Sequence, residues 1–132
     1  IRAHKGKVLV LNFFADKYES CRLELRALEG VSKQLEGRGA IIIGLTKFYR
    51  PLDKIPAKAQ ATNLDAFLDK QGVTFPVGIA KDLTTLRAYG VRGIPHTVVI
   101  DKAGTVVYVK TGSSRRNQRA LADLVRAIDR AL

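Results

Sequence analysis

The chain has 132 residues, 46% of them hydrophobic, which suits one domain able to bury roughly two thirds of its unfolded surface without covalent staples. Its single cysteine excludes an intrachain disulfide and any dithiol/disulfide cycle within the chain. The formal net charge of +11 implies affinity for something acidic, but the basic residues are dispersed from Arg2 to Arg130 and are densest only at Arg115-Arg116-Asn117-Gln118-Arg119. With no nucleic-acid recognition motif beside them, they read as a solvated basic surface.

No apolar run approaches the ~18 residues a membrane span needs, and Ile1-Arg2-Ala3-His4-Lys5-Gly6 lacks a signal-peptide hydrophobic region. The chain starts almost at its first core strand, so it reads as a piece of a longer protein, with room for a removed signal or membrane anchor. That strand is Val8-Leu9-Val10-Leu11-Asn12-Phe13-Phe14, an unalternating apolar run expected to be buried on both faces. Through Ala15 to Ser20 it feeds a helix in which Cys21, Leu25, Leu28, Val31 and Leu35 share one face, while Arg22, Glu24, Arg26, Glu29 and Lys33 are assigned to the rest. The helix N-terminus, with its unpaired N–H groups, is thereby aimed at the turn before it. Glycines at 37 and 39 stop the helix, and Ala40-Ile41-Ile42-Ile43-Gly44-Leu45 is a second apolar strand, again expected to be buried on both faces.

Strand, helix, strand makes a βαβ unit whose strands run parallel and end at one edge of the sheet, the edge where ligands of open α/β sheets bind. From that edge leaves a long stretch, 46–62, with two prolines and mostly positive charge. Phe48, Tyr49 and Arg50 within it form either a binding wall for an anionic or peptide ligand, or a surface insertion with its aromatics tucked on the core. A short helix follows, capped by Thr62 or Asn63, with Leu64, Phe67 and Leu68 inward and Gly72 at its end. Phe75 to Ala80 reads as a short strand, its Pro76 pointing to a strand start or a sheet edge. Asp82 caps a brief helix with Leu83, Leu86 and Tyr89 inward, stopped by Gly90. Thr97 to Asp101 and Thr105 to Lys110 form a hairpin turning at Gly104, and Leu121, Leu124, Val125, Ile128 and Leu132 mark a closing helix capped by Ser113 or Ser114.

The stretch Gly6 to Ala15, the helix after it, and Gly90-Val91-Arg92-Gly93-Ile94-Pro95-His96-Thr97-Val98-Val99-Ile100-Asp101-Lys102-Ala103-Gly104 resemble a thioredoxin-fold protein of the TlpA/ResA-like redoxin group. The resemblance covers most of the chain. It implies an α/β fold, thioredoxin-like, with a central mixed β-sheet of four or five strands and helices on both faces. The first two strands would be parallel and Thr97 to Asp101 antiparallel to them. Where the group carries W-C-x-x-C, this chain reads Lys17-Tyr18-Glu19-Ser20-Cys21, with Lys17 at the tryptophan position and Tyr18 at that of the nucleophilic first cysteine. Cys21 keeps the position of the second, resolving cysteine. The resemblance further implies a cis Ile94-Pro95 bond facing this turn and a backbone around Ile94 that pairs with an extended polypeptide.

Cys21 admits two readings. A thiol near a helix N-terminus beside Arg22 can be activated, whereas a thiol on the Leu25 and Leu28 stripe behaves as a small buried hydrophobe. Tyr18 cannot replace the missing nucleophile, because a phenol ionises near pH ~10 and forms no equivalent of a disulfide. It either lines the groove or packs on the turn. The expected site is therefore Lys17, Tyr18, Glu19, Ser20, Cys21, Ile94 and Pro95, with His96 as a polar lining residue. His4 and His96 are too few and too far apart to suggest a metal, and no cofactor is implied. The leading reading is a redox-inactive binding domain with a protein or peptide partner. The alternatives are a single-thiol oxidoreductase or peroxidase using Cys21, weakened because Tyr18 stands where the peroxiredoxin pattern has threonine, and a basic nucleic-acid binder. The group's members are frequently extracytoplasmic in bacteria.

Overall fold

The computed structural model describes residues 6–80, 82–112 and 118–132. Five strands, β1 (Val8–Phe13), β2 (Ala40–Lys47), β3 (Val77–Ala80), β4 (His96–Ile100) and β5 (Val106–Thr111), form one sheet in the order β3-β2-β1-β4-β5. β1 pairs in parallel with β2 and antiparallel with β4, so it is the central strand and all six of its residues are buried. Four helices complete the chain: α1 (Glu19–Leu35), α2 (Ala57–Gln71), α3 (Thr84–Ala88) and α4 (Gln118–Ala131).

Strand alternation sends Val8 and Val10 to one face of the sheet and Leu9, Leu11 and Phe13 to the other. The first face packs against Leu25 and Leu28 of α1, Leu64 of α2, and Leu124 and Ile128 of α4. The second packs against Leu86 of α3 and the half-buried Tyr89. Helices therefore cover both faces, but unequally. Because α3 is only five residues long, Ile41 and Ile43 of β2 stay half-buried on its side, while Ile42, facing α1, is 1% exposed. The expectation of β2 buried on both faces is corrected to this extent.

Three other expectations change. α2 begins at Ala57, not near Thr62: Pro56 precedes it, and Ala57 to Ala61 are good helix formers that extend the periodic segment backwards. Leu83 is 41% exposed, because the short α3 can turn only Leu86 fully onto the sheet. Glu24 and Glu29 of α1 are buried rather than on its polar face. Glu24 stands three residues after Cys21 and four before Leu28, which puts it on the apolar stripe itself. Its carboxylate accepts hydrogen bonds of 3.1 Å at both oxygens from Lys110 Nζ on β5. Glu29 accepts from the Thr74 N–H at 2.7 Å and the Thr74 hydroxyl at 2.6 Å, tying α1 to the loop before β3. The expected Ser113 or Ser114 cap and the Arg115 to Arg119 cluster fall wholly or in part outside the described residues.

Candidate functional site

Phe13 is in register with Leu45 on one side and His96 on the other. The carboxyl ends of β1 and β2 and the amino end of β4 thus share one edge, with neighbouring strands about 4.8 Å apart. The connections at that edge include residues 14–18, the loop after β2, and the segment that reaches β4 through Ile94 and Pro95. The Ile94–Pro95 peptide bond is cis. Pro95 is buried and its carbonyl accepts the Gly112 N–H at 2.8 Å, while Ile94 packs against both cores. Among the described residues, the Ile94 backbone N–H and C=O have no hydrogen-bond partner.

The turn before α1 is fixed from below. Phe14 donates its N–H to the Leu45 carbonyl at 3.0 Å, and its own carbonyl accepts the Thr46 hydroxyl at 2.7 Å. Arg22 Nη1 reaches the Asp16 carbonyl at 3.4 Å. Lys17, Tyr18 and Glu19 are exposed, Tyr18 at 45%, and Ser20 is half-buried. Tyr18 precedes α1 as its N-cap without making a side-chain cap bond.

Cys21 is free and 0% exposed. Burial pushes its thiol pKa up, the nearby Glu24 carboxylate adds to the rise, and a hydrogen bond from the Ala15 backbone and the charge of Arg22 only partly offset it. The environment is that of a packed thiol, not of an activated one.

The loop after β2 folds against the turn. Arg50 pairs with Asp16 at 3.3 Å, and the Gln60 amide donates to the Arg50 carbonyl at 3.0 Å and to that of Ile55 at 2.8 Å, closing the loop on itself. Phe48 and Tyr49 are half-buried. The Lys47 ammonium lies 4.5 Å from the centre of the Tyr49 ring, and that of Lys17 lies 5.8 Å from the same ring and 5.2 Å from the Tyr18 ring. The Tyr49 phenol pKa is raised by burial, with smaller contributions from Cys21 and Tyr18.

His96 is a correction. It is 4% exposed, its ring lies beside Phe13, and its Nδ1 is 3.1 Å from the Thr111 hydroxyl, so it belongs to the core on the α3 side and lines no open groove. The reason is strand parity: Pro95 and Thr97 face away from it. Glu24 with Lys110 is what sequence reasoning missed, although its spacing from Cys21 was a usable signal. Among the described residues no group of three or more potential metal-ligating side chains occurs, and no helix is long and apolar enough to cross a membrane.

The model of the AhpC/TSA family matches residues 1–109. The thiol-disulfide oxidoreductase ResA of Halalkalibacterium halodurans is 30% identical over 112 residues, 85% of this chain and 58% of that protein. ResA of Bacillus subtilis is 31% identical over 109 residues, 83% of this chain and 55% of that protein. The chain thus spans little more than half the length of these relatives. Among solved structures, a thiol:disulfide interchange protein of the thioredoxin family from Chlorobium tepidum superposes with a TM-score of 0.75 at 29% identity, covering 98% of this chain and 83% of that one.

Proposed function

The chain belongs to the AhpC/TSA family, as a TlpA/ResA-like redoxin of thioredoxin-like fold, and from that premise we propose that it is a redoxin domain turned from dithiol exchange to polypeptide binding. The state of Cys21 carries this reading: it is the sole cysteine, fully buried, with its thiol held protonated by burial. Disulfide exchange needs an attacking thiolate and a second thiol to release the mixed disulfide, and the attacking position is occupied by Tyr18. Binding needs neither. The unpaired N–H and C=O of Ile94, beside the cis Ile94–Pro95 bond, offer a donor and an acceptor to an extended segment laid along the edge that the turn before α1 also leaves. The same burial weighs against a single-thiol enzyme at Cys21.

Reduction of insulin disulfides tests the redox half. Wild type is expected to show none, and Tyr18→Cys is expected to gain it, because a thiol at the start of α1 would be favoured as thiolate and Cys21 lies about one turn away. Robust wild-type turnover would overturn the proposal. By family resemblance we further place the domain on the extracytoplasmic side of a bacterial membrane; a topology reporter fused to the full-length protein and active only in the cytoplasm would refute that.

A further inference from the structure

We infer that Lys17 and Lys47, gathered around Tyr49, make this surface a reader of acidic side chains on the bound polypeptide, an inference that rests on the binding reading above. Two ammoniums share one aromatic ring, at 4.5 and 5.8 Å from its centre. Like charges repel, and the negative faces of Tyr49 and Tyr18 offset only part of that. The carboxylate of Asp16, on the same turn as Lys17, is already engaged by Arg50. Among the described residues, neither Lys17 nor Lys47 forms an ion pair. Lys17 and the 45% exposed Tyr18 open to solvent, and Lys47 is half-buried at the end of β2.

This is a preformed site for anionic charge, and its place selects the source. It stands at the edge from which the free backbone of Ile94 also emerges, so a ligand meeting both is an extended polypeptide. In such a segment alternate side chains point the same way, about 7 Å apart. A segment whose backbone pairs along Ile94 would present its carboxylates at alternate positions on one side, the pattern that the two ammoniums would read.

The test uses two labelled twelve-residue extended peptides, one with Glu at alternate positions and its Gln counterpart, plus a single-stranded oligonucleotide of matched charge. Binding by fluorescence anisotropy is measured to wild type, to Lys17→Gln/Lys47→Gln, and to the charge-preserving Lys17→Arg/Lys47→Arg. The Glu peptide is expected to bind at least ten-fold more tightly than the Gln peptide at low salt. That preference should vanish in the Gln pair and return in the Arg pair. Equal binding of the two peptides overturns the acidic preference but leaves the binding domain standing; failure of both to bind overturns both. A Glu preference that survives in the Gln pair, or an oligonucleotide that binds as tightly as the Glu peptide, overturns the assignment of these lysines as readers of polypeptide carboxylates.

Discussion

Glu24 and Lys110 join the first helix to an edge strand by two hydrogen bonds of 3.1 Å, with the Glu24 side chain 0% and that of Lys110 10% exposed. Lys110 also donates to the Gly112 carbonyl at 3.0 Å, so the ammonium is held on three sides. Desolvating two charges is costly, and the pair persists because each satisfies the other. Removing one partner should therefore hurt more than removing both. Lys110→Met is expected to lower unfolding stability by about 3 kcal/mol, and adding Glu24→Gln to it should cost less than the sum of the single changes. Urea denaturation of the four proteins checks this; strict additivity would show that the two side chains do not interact.

Among the elements, β2 is tightly constrained at its glycine. Gly44 pairs with Asn12 and Val77, and its N–H bonds to the Pro76 carbonyl at 2.9 Å. A Cβ added there would lie 3.2 Å from both Phe14 Cε1 and Val77 Cγ2 and 3.4 Å from Phe75 Cε1, atoms of buried or half-buried side chains with little room to move. Gly44→Ala should destabilise the domain by about 1–3 kcal/mol despite the higher strand compatibility of alanine, a change readable from the thermal midpoint. Periodicity made the helix stripes legible, since Cys21, Leu25, Leu28, Val31 and Leu35 are all buried, as are Leu124 and Ile128. The same rule applied to position rather than polarity would have placed Glu24 inward; assigning charged residues to the outside hid it. The motif around Ile94 and Pro95 was legible because those residues are contiguous. The grouping of Lys17, Lys47 and Tyr49 was not, for it depends on how a loop some thirty residues downstream folds back, which Gln60 decides through carbonyls it meets only in the folded chain.

For the molecule as a whole, two buried groups contribute to the response to acid. His96 has its pKa lowered by burial. The unfolded chain therefore takes up that proton first, and stability is complete above about pH 6.5 and declines as pH falls through it. Glu29 has its pKa lowered as well: burial alone would raise it, but the bonds from Thr74 outweigh that. Its contribution is present above about pH 4.3 and is lost as pH falls further, through the folded value. Urea midpoints should thus fall in two stages, and His96→Gln should remove the first while leaving the second. A midpoint unchanged between pH 7.5 and 5.5 in wild type would contradict the assignment. The strand order has a consequence for synthesis. Val10 is in register with Ile42 on one side and with Val99 on the other, so the most apolar strand of the chain waits for a partner almost ninety residues away. A growing chain that has emerged only as far as Gly90 holds β1 with one bare edge and α1 without Leu124 and Ile128 to pack on. Such an edge recruits other chains. The fragment 1–90 should therefore show no cooperative transition and should aggregate unless a peptide spanning 91–132 is supplied, which makes the nascent domain a natural client for chaperones until its last third is made.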